Sequence, residues 1–392
     1  MASTGLRADF PYLDADEVYL DAACQSLRPL PVLDAMTDYY TTFGACGERG
    51  RYAWGRRVDQ AVEAARVSTL AALRASPRTH TCAFTLNTTM GLNLLLQQLP
   101  PGRYARVITT HHEHNSVFLS TMTAARRLGI PRHVVERSLH GDVDLTAVDL
   151  TDALVVLSAM DNVTGTVTRD LPAIAAEVHR RGGALLLDAA QAAPHAFASL
   201  RGLDADAICF SAHKLYGPSL GVVVATDALL RSLELTFVGG GQVDAVTTDG
   251  FVPAAAVHTR LEPGLQAWGE IIGYGAALAW FLPRSAEIER HEDALGARLR
   301  DALVEMPNLR VFGPVERSAT ISVVPERVDA HRLAAFLSQA GIMVRSGHFC
   351  AHHWLDERAH LPTLVRFSLG AHTTESDIDH SIVVMDRLMR GL

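Results

Sequence analysis

One lysine stands apart from the other basic residues of this chain of 392 amino acids. Lys214, in the segment CFSAHKLYGP, is the only lysine, and the other 34 basic residues are arginines. A guanidinium group stays protonated in proteins, whereas a desolvated lysine amine can lose its proton and attack a carbonyl group. Chance survival in an arginine-rich composition explains the low count but not the position. Lys214 is therefore predicted to form a Schiff base with an aldehyde cofactor.

Other polar residues supply groups that a pyridoxal phosphate (PLP) cofactor requires beside its lysine. Asp188 ends the apolar run ALLLD, where its carboxylate would face the pyridine nitrogen or, more ordinarily, cap a helix. Gln191 stands three residues after Asp188, and its side chain could reach the oxygen on the pyridine ring of the cofactor. His114 follows another strand candidate and would stack on the ring. Asn162, in DNVTG, is either a turn residue or a second hydrogen-bond partner of the ring oxygen.

A phosphate site is predicted at the start of the helical segment NTTMGLN. Thr88 and Thr89 offer hydroxyl groups there, beside free backbone N–H groups and the positive end of the helix dipole. Two threonines at a helix start more often cap the helix without binding any ligand. Ser211 and His213 flank the lysine and would complete the phosphate site.

These residues follow strands of a predicted α/β domain. Short runs that are apolar on both faces alternate with helical patterns, which indicates a mostly parallel sheet covered on both sides. In such sheets ligands bind at the carboxyl ends of the strands. The predicted strands are 105–110, 153–159, 183–189, 207–212 and 221–226, with a helix at 171–183.

A smaller α+β domain is predicted toward the C-terminus, beyond a helical region near 265–305. We assign residues 20–270 to the large domain, and residues 1–19 and 271–392 to the small one. The small domain directs Arg345, Cys350 and Arg366 toward the large one. Its predicted elements are strands at 319–325, 342–347 and 364–370 and helices at 329–341 and 375–390.

The bulk composition narrows the functional class. The net charge is −8 and the basic residues are scattered, which argues against binding to nucleic acid or to an anionic membrane. The apolar stretch 271–282 is too short to cross a bilayer and suits a buried helix. No signal peptide is read at the N-terminus, and an odd number of cysteines without CxxC pairs indicates free thiols in the cytoplasm. Four cysteines are interpreted as packed, structural residues: Cys24, Cys46, Cys82 and Cys209.

An ordered set of motifs resembles the class V branch of fold-type I PLP enzymes, and within it the cysteine desulfurase and selenocysteine lyase group. The resemblance covers nearly the whole chain and implies a large, mostly parallel-sheet domain, a smaller C-terminal α+β domain, and a homodimer. The motifs are YLDAACQSLRP (19–29), FTLNTTMGLN (84–93), EHNSV (113–117), DNVTGT (161–166), DAAQ (188–191), FSAHKLYGP (210–218), VGGGQV (238–243), RSGHFC (345–350) and RFSLGAHTTESDID (366–379).

The resemblance also implies residue roles. Cys350 stands in the pattern Arg-x-Gly-x-x-Cys and corresponds to the sulfur-accepting cysteine, while Arg366 would bind the substrate carboxylate. Arg345 and Asn162 are further candidates for substrate binding. The implied cofactor residues are Lys214 for the Schiff base, Asp188 at the pyridine nitrogen, Gln191 at the ring oxygen, His114 over the ring, and Thr88, Thr89, Ser211 and His213 around the phosphate.

The implied reaction converts L-cysteine, or a related sulfur or selenium amino acid, to alanine and a persulfide on Cys350. The catalytic residues would be Lys214, Cys350 and His114, and a sulfur-acceptor protein is a possible partner. Two alternatives stay open at this point. One is a PLP-dependent C–S β-lyase, aminotransferase or epimerase that does not use Cys350, and the other, less favoured, is a scaffold without activity.

Two departures from the family pattern concern the surroundings of the site. Leu265 stands where the family has a threonine that reaches the partner subunit's phosphate, so Gln266 could substitute and Trp268 could reshape the pocket. After the cysteine the chain reads CAHHWLDER, which places histidines 348, 352 and 353 around Cys350. Adjacent histidines rarely bind one ion together, so no metal is expected.

Overall fold

The computed structural model describes residues 4–14, 16–48, 50–314 and 318–391. The helices are α1 (Thr4–Arg7), α2 (Leu30–Thr42), α3 (Ala53–Leu73), α4 (Thr88–Gln97), α5 (Asn115–Leu128), α6 (Leu171–Arg180), α7 (Ala192–His195), α8 (Asp227–Ser232), α9 (Trp268–Phe281), α10 (Ser285–Val304), α11 (Ala330–Gln339) and α12 (Glu375–Gly391). The strands are β1 (Val18–Tyr19), β2 (His80–Thr85), β3 (Arg106–Thr110), β4 (Arg132–Val135), β5 (Ala153–Ser158), β6 (Ala184–Asp188), β7 (Ala207–Ser211), β8 (Gly221–Thr226), β9 (Val243–Val246), β10 (Phe251–Pro253), β11 (Leu309–Phe312), β12 (Thr320–Pro325), β13 (Ile342–Met343), β14 (Arg345–Gly347) and β15 (Leu364–Ser368).

Seven strands form the large sheet, in the order β2-β8-β7-β6-β5-β3-β4. All neighbouring pairs are parallel except those of β8, which runs antiparallel to both β2 and β7. The strands β5, β6 and β7 are buried along their whole length, as the apolar runs predicted. The predicted α/β fold and all five predicted strands are therefore confirmed, and β2 and β4 are strands that the prediction missed.

Helices cover both faces of this sheet because alternate strand residues point to opposite sides. In β6, Leu185 and Leu187 enter one core with α3, α6 and α9, whereas Leu186 enters the other core with α4, α5 and α8. The apolar helix predicted at 271–282 is α9, which is buried as expected. Among the described residues, no helix has both the length and the apolar character needed to cross a bilayer.

A second, antiparallel sheet forms the smaller unit, in the order β11-β12-β15-β14, and packs with α10, α11 and α12 around its own core. The short strand β1 joins this unit by pairing parallel with β13. The segment predicted as one strand at 342–347 is divided into β13 and β14, which belong to different sheets. The domain division at residue 270 stays a prediction.

Candidate active site

One cavity of about 300 Å³ opens at the carboxyl ends of strands β5, β6 and β7. Elements of the small unit close it from the other side. The structure brings every residue predicted for the site to this cavity: Thr88, Thr89, His114, Asn162, Asp188, Gln191, Ser211, His213, Lys214, Arg345, Cys350 and Arg366.

Lys214 lies in a single 3₁₀ turn directly after β7, so its side chain projects from the strand end. Its Nζ makes no hydrogen bond or ion pair with any residue that the structure describes. Burial lowers the pKa of Lys214, nearby Asp188 opposes that shift and Arg366 adds to it. The amine therefore loses its proton more readily than an exposed lysine, as an imine-forming residue requires.

Asp188 and His114 are held together by Ser116, a residue that the sequence analysis did not select. The Ser116 hydroxyl donates to Asp188 Oδ2 at 2.7 Å, and Ala190 N donates to Oδ1 at 2.9 Å. His114 caps α5, and its Nδ1 accepts from Ser116 N at 3.0 Å. Burial lowers the pKa of His114 to about 4, with further lowering from Lys214. The ring is therefore neutral at pH 7, with its proton on Nε2.

Replacing Ser116 with alanine is expected to weaken PLP binding by roughly 10- to 100-fold. The change removes a hydrogen bond to a buried carboxylate, and such bonds contribute about 1.5–3 kcal/mol. Titration of the apoenzyme with PLP, followed by absorbance, measures the effect. Ser120→Ala is the matched control, because the Ser120 hydroxyl donates only to backbone carbonyls one turn earlier on the same helix. Equal affinities for the two variants would contradict the assigned role of Ser116.

The start of α4 forms the predicted phosphate site. Thr88 N donates to Ser211 Oγ at 2.9 Å, and the two hydroxyl groups lie 2.6 Å apart. The N–H and hydroxyl groups of Thr89 make no hydrogen bond within the described part of the chain. Burial lowers the pKa of His213 to about 4, so this ring is also neutral at pH 7. Donors without partners at a helix N-terminus suit a phosphate group.

The groups without partners around this cavity fit PLP. Gln191 is buried, and its Nε2 donates to Ala23 O at 2.8 Å, while its Oε1 has no partner. That oxygen can accept a hydrogen bond from a ring hydroxyl group. The free amine of Lys214, the carboxylate of Asp188 and the donors of Thr89 supply the other contacts that this cofactor needs.

Cys350 lies on a tight turn that other parts of the chain hold in place. Phe349 and Cys350 both have left-handed backbone conformations, with φ of +52° and +58°. Asn162 Nδ2 donates to Phe349 O at 2.7 Å, and Asn115 N donates to Cys350 O at 2.6 Å. The amide nitrogen of Asn162, predicted to reach the cofactor or substrate, therefore holds the cysteine turn in this structure. The Cys350 side chain is exposed and lines the cavity.

The histidines that follow Cys350 pack the turn onto α5. His353 begins a π-helix (His353–Arg358), stacks on Phe118 with ring centroids 4.1 Å apart, and approaches His111 with a nitrogen–nitrogen distance of 2.9 Å. His352 contacts Asn115. His353 therefore packs against Phe118 and His111, and it does not line the cavity beside Cys350 as the sequence led us to expect. The described residues contain no group of three or more His, Cys, Asp or Glu side chains that could hold a metal ion.

Two arginines, Arg345 and Arg366, line the end of the cavity nearest the small sheet, and Asp21 interacts with both. Arg345 binds Asp21 Oδ2 through Nη2 at 2.5 Å and Nε at 3.1 Å. Arg366 is buried, donates to Asn162 O at 2.9 Å and lies 3.5 Å from Asp21 Oδ1, while its Nε has no partner. Burial lowers the pKa of Arg366, and Asp21 opposes that shift. Of the two arginines, Arg366 is the buried one, and its Nε is a buried donor available to a carboxylate.

The structure corrects the interpretation of two cysteines. Cys46 is exposed, and Cys24 is half-buried and lines the active-site cavity, so neither is a packed structural residue. Their apolar sequence neighbours gave the wrong impression, because Cys24 lies in a turn and Cys46 lies in a segment that is neither helix nor strand. The interpretation holds for the other two, Cys82 and Cys209, which are buried in the cores.

The residues at the family departure lie outside the cavity. Leu265 is 75% exposed, and the Gln266 amide donates to Gly264 O at 3.1 Å. Trp268 is buried in the core of the large sheet and does not line the site. The expectation that Trp268 reshapes the pocket is therefore wrong.

The mixed sheet and the polar groups at its strand ends define a PLP-dependent enzyme of fold-type I. The chain belongs to the aminotransferase class-V family, whose model matches residues 18–380, and the cofactor of this family is PLP. A cysteine desulfurase from Dickeya dadantii is 31% identical over 403 residues, which cover 99% of this chain and 97% of the relative.

Two solved structures show the same architecture. A cysteine desulfurase from Thermococcus onnurineus NA1, solved in its apo form, has a TM-score of 0.90 and 28% identity, and the match covers 99% of this chain and 98% of that one. A cysteine desulfurase from Escherichia coli has a TM-score of 0.88 and 28% identity, with 100% and 99% coverage. The fold class and the family expected from the motifs are therefore confirmed.

Proposed function

We propose that this chain is a PLP-dependent cysteine desulfurase that converts L-cysteine to alanine and carries the released sulfur on Cys350. The observation that carries the proposal is the shared cavity, in which the Lys214 amine, the Arg366 guanidinium and the Cys350 thiol face one space. The cysteine desulfurases from Dickeya dadantii and Escherichia coli support it, because they match along almost the whole chain.

Substrate and cofactor would be held by residues that line this cavity. Arg366 binds the substrate carboxylate through its unused Nε and the adjacent Nη groups. Asp188, held by Ser116, pairs with the pyridine nitrogen, and Thr89 with Ser211 contacts the phosphate. PLP, when bound, supplies an electron sink that acidifies the substrate Cα–H bond.

Proton transfers fall to two residues with lowered pKa values. The Lys214 amine would remove the substrate Cα proton, because burial disfavours its charged form and makes its own proton easier to lose. His114 is neutral, with its proton on Nε2, and can exchange a proton with the substrate thiol. The Cys350 thiolate attacks the substrate sulfur, so that the C–S bond breaks and an S–S bond forms on Cys350.

The products of cysteine turnover test this function. We expect one alanine for each persulfide formed, and mass spectrometry of alkylated peptides should locate that persulfide on Cys350. A C–S β-lyase would instead release pyruvate and leave the Cys350 peptide unmodified. Pyruvate as the main product would overturn the proposal.

A homodimer is part of the proposal. An exposed apolar surface lies beside the N-terminus of α4, close to the proposed phosphate site, and includes Leu86, Met90, Phe237 and Leu265 at 62, 38, 56 and 75% exposure. Contiguous apolar surface of this kind marks interaction sites. A second copy of the chain would cover these side chains and border the cofactor site.

Leu265→Asp is expected to shift the protein from twice the mass of one chain to a single chain in light scattering. The reason is that a buried carboxylate without a partner costs several kcal/mol at an interface. Val383→Asp is the control, since Val383 is also exposed, at 56%, but lies on α12 of the small unit. A wild-type protein that is monomeric at micromolar concentration would contradict the dimer.

We further propose a sulfur-acceptor protein and a cytoplasmic location. The exposure of Cys350 supports a protein acceptor, because a persulfide at this position can be reached from solution. All five cysteines are free thiols, which suits a reducing compartment.

A further inference from the structure

Two thiols line the active-site cavity. Cys24 is half-buried, Cys350 is exposed, and both border the space around Lys214. The cavity has a volume of about 300 Å³. Of the other cysteines, Cys82 and Cys209 are buried in the cores and Cys46 is absent from the cavity lining. The two cavity thiols therefore share one small compartment.

An ion pair ties the two cysteine segments together. Arg345 stands five residues before Cys350, and Asp21 stands three residues before Cys24. The Arg345 Nη2 and Nε atoms lie 2.5 and 3.1 Å from Asp21 Oδ2. The backbone of Cys24 turns back on Asp21, because Cys24 N donates to Asp21 O at 3.0 Å. The thiols thus lie on two segments that are fixed to each other rather than on independent loops.

Cys24 has two basic neighbours in the cavity. Arg366 is 3% exposed, interacts electrostatically with Cys24, and has an Nε atom without a partner. The Lys214 amine also interacts with Cys24. A persulfide is a stronger acid than a thiol and carries a negative charge at neutral pH. A persulfide on Cys24 would therefore find a buried cation with an unused donor beside it.

We propose that Cys24 is a second sulfur carrier, which takes the terminal sulfur of the persulfide formed on Cys350. This inference rests on the proposed function, since Cys350 must be loaded first. The Cys24 thiolate attacks the terminal sulfur of the Cys350 persulfide. The S–S bond at Cys350 breaks, a new S–S bond forms at Cys24, and Cys350 leaves as a thiolate. The terminal sulfur is attacked in its protonated S–SH form and carries that proton to Cys24, and no external oxidant or reductant is consumed.

The transfer gives the enzyme a capacity of two sulfur atoms per chain. Once Cys350 is free again, a second cysteine can be processed before any acceptor arrives. The second turnover is expected to be the slower one, because an anion on Cys24 competes with the substrate carboxylate for Arg366.

The test is a burst experiment on the holoenzyme with L-cysteine, without a reductant or acceptor. We expect two alanines per bound PLP from the wild type and one from Cys24→Ser. In the wild type, alkylation and peptide mapping should find an added sulfur on both the Cys24 and the Cys350 peptides. Cys46 is the internal control, because this exposed thiol lies outside the cavity lining and should stay unmodified.

Three outcomes would overturn the inference. One is sulfur on Cys350 alone with a burst of one alanine in the wild type, a result that leaves the proposed function intact. Another is a disulfide between Cys24 and Cys350 with release of sulfide, which would mean that Cys24 attacks the inner sulfur. The third is pyruvate with no sulfur on either peptide, which would overturn the proposed function as well. The wild-type map alone distinguishes these outcomes, whether or not the serine variant folds.

Discussion

Lys214→Arg is expected to lower the rate of alanine formation by about 10³-fold or more. General acid–base catalysis alone typically contributes about 10²- to 10⁴-fold to a rate. Arginine keeps the positive charge, so the interaction with Asp188 survives while the nucleophilic amine is lost. The variant should also lack the visible absorbance of a PLP imine. Steady-state rates and spectra of wild type and variant measure both effects.

Chemical labelling gives an independent check of the same residue. Lys214 is the only lysine in the chain, so borohydride reduction of the holoenzyme can fix PLP to just one side chain. Peptide mapping should place the label in the segment that contains position 214. A label elsewhere, or no label, would contradict the assignment of Lys214 even if the arginine variant were inactive.

Cys350→Ser is expected to lower alanine formation from L-cysteine on the order of 10³-fold or more, since a removed covalent nucleophile is among the costliest changes in an active site. Serine keeps the size of the side chain and suits the left-handed turn no worse than cysteine does. PLP content should stay at the wild-type level, because the groups proposed to hold the cofactor lie on the large sheet and its helices. Product analysis in single turnover measures the loss.

Cys46→Ser is the matched control for this variant. Both cysteines are exposed, but Cys46 does not line the cavity, so its replacement should leave the rate unchanged. Pyruvate or a thiol product at an undiminished rate from Cys350→Ser would favour an eliminating C–S lyase. Activity lost equally in both variants would point to a structural effect instead.

The large sheet was predictable because its central strands are buried on both faces and their sequences are apolar throughout. The direction of β8 was not predictable. Its sequence, GVVVAT, is apolar and suits a parallel or an antiparallel strand equally well, so it does not indicate how the strand pairs with its neighbours. The short strand β4 was missed for a related reason, because it is only partly buried at the edge of the sheet.

The site residues likewise divide into those that the sequence could predict and those that it could not. Lys214 and Asp188 were recognisable because each follows a buried strand at the edge where ligands bind. Ser116 and Asp21 were missed, since a serine in the first helical turn and an aspartate in a turn are common in any sequence. Their roles depend on partners 72 and 324 positions away, at Asp188 and Arg345. The aspartate in the motif YLDAACQ was the only sequence feature that indicated the pairing of Asp21 with Arg345.

The burial of Cys24 could not be inferred from the residues next to it in the sequence. Its neighbours Ala22 and Ala23 are buried, as the sequence suggested, but the chain turns at this point and exposes the next side chain to the cavity. The same holds for the segment after Cys350, where a π-helix rather than a loop places His353 against α5.

The turn that carries Cys350 has a consequence for sulfur trafficking. Its carbonyl groups are held by Asn162 and Asn115, two residues of the large unit, so the reactive side chain has little freedom to travel. A mobile loop could carry a persulfide outward to an acceptor protein, but the turn that holds Cys350 stays at the mouth of the cavity. The proposed sulfur-acceptor protein would therefore have to extend its own nucleophile to the mouth of the cavity to collect the sulfur atom.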